Sequence, residues 1–270
     1  MAVVRILWLR FCLTRSLKNK SIIAQFNRID YFNGIVQPIT LIEINSMINI
    51  LKLRLTILII SFGVLSATVW AGSNDDILSL QKAWMTINYQ TAMPQQAREF
   101  ENLLLAAKKT SVQYAELAEA HIWQGVIEAT YADLKNDAGD KSKALSLAES
   151  AKNSFKLAIK LNPHAMNGAA FTNLGALYYQ VPGWPLGFGD EQKAEEFLLK
   201  GLAHNPDDID ANFFYGDFLF QKAQLLKAQQ HLIKASLAPE RDGREVADKA
   251  RKQEIKDRLK QISYQLTRHQ

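Results

Sequence analysis

"AKNSFKLAIKLNP" (151–163), "AEEFLLKGLAHNP" (194–206) and "AQQHLIKASLAP" (228–239) decide how this 270-residue chain folds. Each stretch opens on an alanine. Phe155, Leu198 or Leu232 follows four positions on, then Ala158, Gly201 or Ala235 three positions further. Apolar residues at steps of three and four mark one face of an α-helix. Each stretch closes on Pro163, Pro206 or Pro239, and the residue before a proline disfavours the helical region, so each proline predicts a helix end. Asn162-Pro163 and Asn205-Pro206 add a turn signal before the next helix.

A second signature lies upstream of the alanines: Leu174-Gly175-x-x-Tyr178, then Tyr215-Gly216-x-x-Leu219. Small residues at Gly175, Gly216, Ala194 and Ala228 let two helices approach closely where they cross. Gly216 precedes Ala228 by twelve positions, and Ala194 precedes Ala228 by thirty-four. This period and residue pattern resembles the tetratricopeptide repeat, a helix–turn–helix of about 34 residues. One such pair cannot bury its own apolar face, so neighbours must stack.

Two copies depart from the spacing. Gly175 precedes Ala194 by nineteen positions, seven more than in the other copy. The surplus is the loop in "YYQVPGWPLGFGDEQKAEEF" (178–197), an insertion expected on a binding face. An earlier copy uses Trp123, Gly125 and Ala151, with fourteen surplus positions between the last two. Upstream, "DDILSLQKAWMTINYQ" and "PQQAREFENLLLAAKK" predict a degenerate helix pair that begins the stack. Downstream, Asp242-x-x-Glu245 has the form of a capping box. It opens a helix with Ile255, Leu259, Ile262 and Leu266 on one face and dense charge elsewhere, as expected of a terminal capping helix. The fold class is therefore all-α: an α-solenoid of three to four tetratricopeptide-like helix pairs over 72–270, with a C-terminal capping helix.

Residues 1–71 read differently. They hold eight basic and two acidic side chains, a net of +6, so the whole positive excess of a chain at +5 sits at the front. The helical region carries no basic excess, and nucleic-acid binding needs one. Lys52 and Arg54 precede an uncharged run, Leu55 to Ala71, which ends in Val69-Trp70-Ala71. Residues 47–71 thus have the layout of a secretory signal peptide. The alternative is an uncleaved inner-membrane anchor over 55–71, since an apolar run of that length just spans a bilayer. A signal peptide belongs at a chain start, so Met47 is the expected start, 1–46 is left unassigned, and the mature chain is expected to begin near Gly72. The expected location is the periplasm. Cys12 is the single cysteine, which excludes an intrachain disulfide and a thiolate metal cluster.

"YYQVPGWPLGFGD" (178–190), "ANFFYGDFLF" (211–220) and "APERDGREVADKARKQEI" (238–255) together resemble a bacterial family of exported tetratricopeptide proteins, grouped loosely with the T component of TRAP transporters. The resemblance covers roughly 75–270. It implies a periplasmic helical-repeat subunit that binds a small ligand or a transporter's solute receptor. The lipid-anchor cysteine of well-known T components is missing.

Candidate site residues concentrate in two places. In the loop, Trp184 and Phe188 either fold back to plug the groove between helices or line a ligand or peptide pocket. Asp190 is the expected N-cap of the following helix. In "NFFYGDFLF" (212–220) the apolar residues read as repeat core, and Asp217 needs solvent or a cation; Arg241, Arg244 and Arg251 are the candidate partners. The candidate partner- or ligand-binding set is Tyr178, Trp184, Phe188, Tyr215, Asp217, Arg241 and Arg244. The five histidines show no metal-ligand spacing, no G-x-S-x-G occurs, and "GWPLGFGD" lacks the Lys-Ser/Thr of a phosphate loop. No catalytic residue, cofactor or metal is expected. The function expected is a non-catalytic scaffold or adaptor for a protein partner in the cell envelope. The alternative is a small-ligand-binding component associated with a transporter, with its pocket near Trp184, Tyr178, Tyr215 and Asp217.

Overall fold

The computed structural model describes residues 73–268. The readings that fall on the signal segment, on residues 1–46 and on Cys12 lie outside the described residues. Nine α-helices occupy this region: α1 (73–90), α2 (Met93–Gln113), α3 (Ala118–Asp137), α4 (Lys141–Leu161), α5 (Ala169–Gln180), α6 (Glu191–His204), α7 (Ile209–Gln221), α8 (Leu225–Leu237) and α9 (Glu245–Arg268). Among the described residues there is no strand, only an isolated bridge between Gly183 and Gly189.

Packing runs neighbour to neighbour. The hairpins α3/α4, α5/α6 and α7/α8 each close on themselves, and each also meets the next. At the front, Tyr114 after α2 donates its hydroxyl to Asp76 at the start of α1, 2.8 Å, so those two helices run antiparallel. The described chain is thus four helix pairs followed by α9, an all-α solenoid.

The crossings sit where the small residues predict them. A Cβ on Gly175 of α5 would lie 2.8 Å from the backbone nitrogen of Leu198 and 3.1 Å from the carbonyl of Ala194, both on α6. A Cβ on Gly216 would meet Leu232 at 2.9 Å and the Ala228 carbonyl at 3.3 Å. Phe155, Leu198 and Leu232, the large residue of each quoted stretch, are fully buried. Helix ends follow the prolines: α4, α6 and α8 stop at Leu161, His204 and Leu237, two positions before Pro163, Pro206 and Pro239.

The surplus of the earlier copy lengthens its two helices instead of forming a loop. α3 and α4 have 20 and 21 residues, against 12 to 14 in the two hairpins that follow. The long pair has a polar clasp. Glu128, fully buried on α3, accepts from Ser150 Oγ (2.7 Å) and Ser154 Oγ (2.9 Å) on α4, and from Gln124 (2.9 Å). A buried carboxylate needs such donors to offset its lost hydration.

α9 begins differently from the expected capping box. Its first helical residue is Glu245, whose carboxylate accepts from the Gly243 N–H at 2.9 Å, so Asp242 is not its N-cap. Ile255 and Ile262 are buried, with Leu259 and Leu266 partly buried beside them. The other faces of α9 are not simply solvated, because two of its arginines, Arg251 and Arg258, turn inward.

Candidate functional site

α7 reads IDANFFYGDFLFQ. Asp210 and Asp217 are two helical turns apart, so they share a face with Phe213, Phe214 and Phe220. Arg244, Arg251 and Arg258 at the start of and along α9 repeat the same spacing. The two stripes meet. Arg251 bonds Asp210 through Nε at 3.1 Å and stacks over Phe213 and Phe214, 4.1 and 4.8 Å from the ring centres. Arg258 reaches Asp217 at 2.7 Å and lies 4.5 Å over Phe220. Asp217 is buried and also accepts from Tyr179 Oη (3.1 Å) and Gln221 (3.2 Å). The partner of Asp217 is thus Arg258, not Arg241, Arg244 or Arg251, because the register of α9 puts those three one or more turns nearer Asp210.

Arg241, in the connection before α9, binds three carboxylates: Asp208 (3.2 Å), Asp210 (2.9 Å) and Asp248 (2.5 Å). Asp248 is fully buried and takes the Arg241 backbone N–H as well, at 2.8 Å. Asp208 also caps α7 by accepting from Ala211 N–H at 2.8 Å. Burial alone raises the Asp210 carboxyl, but Arg251, Arg241 and Arg244 outweigh it and hold the group well below the usual carboxylate range. Burial, then the charge of Asp210, leaves Asp208 raised despite Arg241. Tyr179 is pushed well above its ordinary value by burial and then by Asp217.

The connection before α9 also reaches the front of the stack. Gln81 of α1 donates to the Gly243 carbonyl at 3.0 Å, between segments far apart in sequence. Arg244 stacks over two indoles, 5.9 Å from the Trp84 ring centre on α1 and 5.8 Å from Trp123 on α3. Trp84 Nε1 donates to Thr130 Oγ1 at 2.9 Å and so ties α1 to α3. The solenoid therefore curls until its first helix meets its last connection, and α9 lies along α7 on the inner side.

Between these walls is a chamber of about 710 Å³, lined from α1, α2, α3, α5, α7, α9 and the connection before α9. Its apolar lining includes Phe100, Ile122, Val126 and Leu177; its charged lining includes Asp133, Asp210, Asp217, Arg244, Arg251 and Arg258. Asp133 opens onto groove solvent yet has protein around most of it; that burial, and then Asp137, raise its carboxyl to about 6.

The inserted loop lies elsewhere. None of residues 181–190 lines the chamber. The loop is tied down by Gly189 N–H to Pro182 O (2.9 Å), Leu186 N–H to Gly183 O (3.1 Å) and Asp190 N–H to Tyr178 O (2.8 Å). Gly189 has to be glycine, since a Cβ there would sit 2.0 Å from the Val181 carbonyl. Asp190 caps α6, accepting from Lys193 N–H at 3.0 Å. Phe188 folds back, edge-on to Tyr178 with centroids 5.8 Å apart and under Lys152 of α4 at 3.8 Å. Trp184 does the opposite: it is 90% exposed, with Leu186 beside it at 73%.

The sequence-derived candidates therefore divide. Asp217, Arg241 and Arg244 line the chamber. Tyr178 is buried and stacks on Phe197. Tyr215 packs edge-on to His231 within the α7/α8 hairpin. A single pocket near Trp184, Tyr178, Tyr215 and Asp217 does not form, because the loop leans outward against α4 while Asp217 faces α9. Sequence reasoning misses Trp84, Trp123 and Arg258 as site residues; the shared seven-residue spacing of the arginines and aspartates is the one signal for Arg258.

Among the described residues, no group of three or more His, Cys, Asp or Glu is placed to hold a metal ion. No helix among them is long and apolar enough to cross a membrane. No family model and no curated protein matches the chain. A solved structure described as the functional characterization of Pseudomonas aeruginosa PilF aligns at 17% identity over 73% of this chain and 93% of that chain. Its TM-score is 0.30, too low to carry an argument, so the architecture rests on the helices described above.

Proposed function

We propose that this protein is a non-catalytic scaffold that docks a protein partner through the 181–190 loop, and that it works after export, in the cell envelope. One observation carries the docking reading: a 90%-exposed tryptophan on a loop tied down by backbone hydrogen bonds. Leaving Trp184 and Leu186 in water forgoes burial that the same loop achieves for Phe188. Aromatic anchors presented on a pre-formed surface are the residues that dominate protein interfaces. The inner face of the stack is the less available surface, since α9 lies along it. The export component rests on the pattern of residues 47–71.

A photo-crosslinking residue at position 183, beside an intact Trp184, with one at Tyr264 as an exposed control, tests the docking reading in native envelopes. The proposal expects one protein captured from 183 and not from 264, with capture prevented by unlabelled protein added before irradiation but not by its Trp184→Ala variant. Equal capture at both positions overturns it.

The second reading is a small-ligand-binding subunit associated with a transporter; the chamber supports its ligand-binding part, and the transporter part rests on the sequence resemblance alone. The chamber's volume of about 710 Å³ is of small-molecule size, within the roughly 300–1,000 Å³ of ordinary ligand sites.

A further inference from the structure

We propose that the protein docking at the loop meets it with an acidic face, whose carboxylates lie against the lysines of α4. This rests on the loop-docking reading and names the chemistry of the partner. The loop leans on α4: Lys152 sits over the Phe188 ring, and a Cβ on Gly187 would lie 3.4 Å from Leu145 Cδ1. Leu145 and Lys152 are two helical turns apart, so they mark the face of α4 beside the loop. Lys141, one turn before Leu145, and Lys156 and Lys160, one and two turns after Lys152, extend that face.

The charge of this face is unanswered. α4 carries five lysines and one glutamate, Glu149, in a helical region that as a whole has no basic excess. Among the described residues none of these five lysines pairs with a carboxylate. Both lysines of the neighbouring α6 do, Lys193 with Asp190 and Lys200 with Glu196. Lys141, Lys156 and Lys160 are exposed. Unpaired surface charges of one sign raise the local potential and select a partner of the opposite sign.

Beside the stripe stands an apolar tip. Pro182 to Leu186 are all exposed and include no charged side chain. A large aromatic anchor with charge at its margin is the arrangement of a protein hot spot and its rim. On the other side of the loop the sign changes, because α6 holds three exposed glutamates, Glu191, Glu195 and Glu196, against its two lysines. An anionic lipid surface carries one sign throughout and would meet those glutamates as well as the lysines. A surface of two signs fits a protein whose acidic patch is confined to the α4 side.

The test is the crosslinking assay at position 183, read as the concentration of unlabelled full-length chain that halves capture when added before irradiation. Wild type is compared with Lys156→Glu/Lys160→Glu, Lys156→Arg/Lys160→Arg and Glu195→Lys; Lys152, which touches Phe188, is left in place. The reversal is expected to raise the half-capture concentration about tenfold, since each change replaces an attraction with a repulsion. The arginine pair keeps the charge, and Glu195 lies on the other side of the loop, so both of those variants are expected to stay within about twofold of wild type. Circular dichroism checks that every variant keeps its helices. If the reversal competes as well as wild type while Trp184→Ala still fails to compete, the acidic partner is overturned and loop docking stands. If nothing is captured from 183, both fall. An equal loss with the arginine pair also overturns the proposal, since charge would then not be what the partner reads. Flotation with vesicles of equal parts phosphatidylcholine and phosphatidylglycerol tests the lipid alternative. Flotation that Trp184→Ala and Lys156→Glu/Lys160→Glu leave unchanged is expected; flotation that falls with either overturns the protein partner in favour of a membrane.

Discussion

Gly175→Ala pits two known effects against each other. In an exposed helix interior, alanine for glycine stabilises by about 1 kcal/mol, because glycine loses more backbone entropy on folding. Here the added Cβ would meet the Leu198 backbone nitrogen at 2.8 Å and the Ala194 carbonyl at 3.1 Å. Those atoms belong to the facing helix, so α5 and α6 must separate. Overpacking a close contact costs about 1–3 kcal/mol, and a backbone obstacle that cannot rotate away belongs at the upper end. Propensity returns about 1 kcal/mol of that. The net expectation is a loss of about 2 kcal/mol, or about 4–8 °C in the thermal midpoint of a domain this size. Circular dichroism at 222 nm through a thermal ramp reads it. An unchanged or raised midpoint would mean that α5 and α6 do not cross at Gly175, and the repeat assignment would fall with it.

Other expectations follow from single contacts. Phe155→Ala empties the fully buried space between α3 and α4 and should cost about 3–5 kcal/mol by urea unfolding. Asp210→Asn leaves Arg241, Arg244 and Arg251 short of a carboxylate and should cost about 3–5 kcal/mol at pH 7. Because the folded-state pKa of Asp210 is depressed, its stabilisation is present above the unfolded carboxylate value and is lost as pH falls below about 4. The variant's melting point should therefore lose less than the wild type's on acidification. Asp133 is raised to about 6, so its ionised form opposes folding above that pH, and stability should rise as pH drops from 7 towards 5. Asp133→Asn should flatten that rise in melts across the same range. Trp184→Ala should leave stability within about 0.5 kcal/mol, since the side chain buries almost nothing, while abolishing capture at the loop.

The hairpins were legible because a repeat writes its contacts locally. Gly175, Ala194 and Leu198 meet within one unit, at offsets that recur, and Pro206 marks the helix end in the same short stretch. The surplus between Gly125 and Ala151 could be counted but not placed, since longer helices and a longer loop contain the same number of residues. Nothing in the sequence around Glu128 marks it as buried; only the register of α4 brings Ser150 and Ser154 to it. Asp217 called for a cation, and the nearer arginines in sequence were the natural candidates. Arg258, further along the chain than any of them, takes the place because α9 turns back along α7. The chamber was illegible for the same reason: Trp84, Trp123 and Arg244 come from three distant segments, and their meeting depends on the curvature of the whole stack.

Hydrogen exchange of α9, followed by mass spectrometry on the full chain, tests the account most directly. If α9 fills the inner side of the solenoid and closes the chamber, amides of 248–266 exchange as slowly as those of α7, and Asp210→Asn speeds both together. If α9 instead exchanges as a free, fraying helix while α7 stays protected, the inner groove is open. Docking would then belong there and not at Trp184, and the chamber would have no lid.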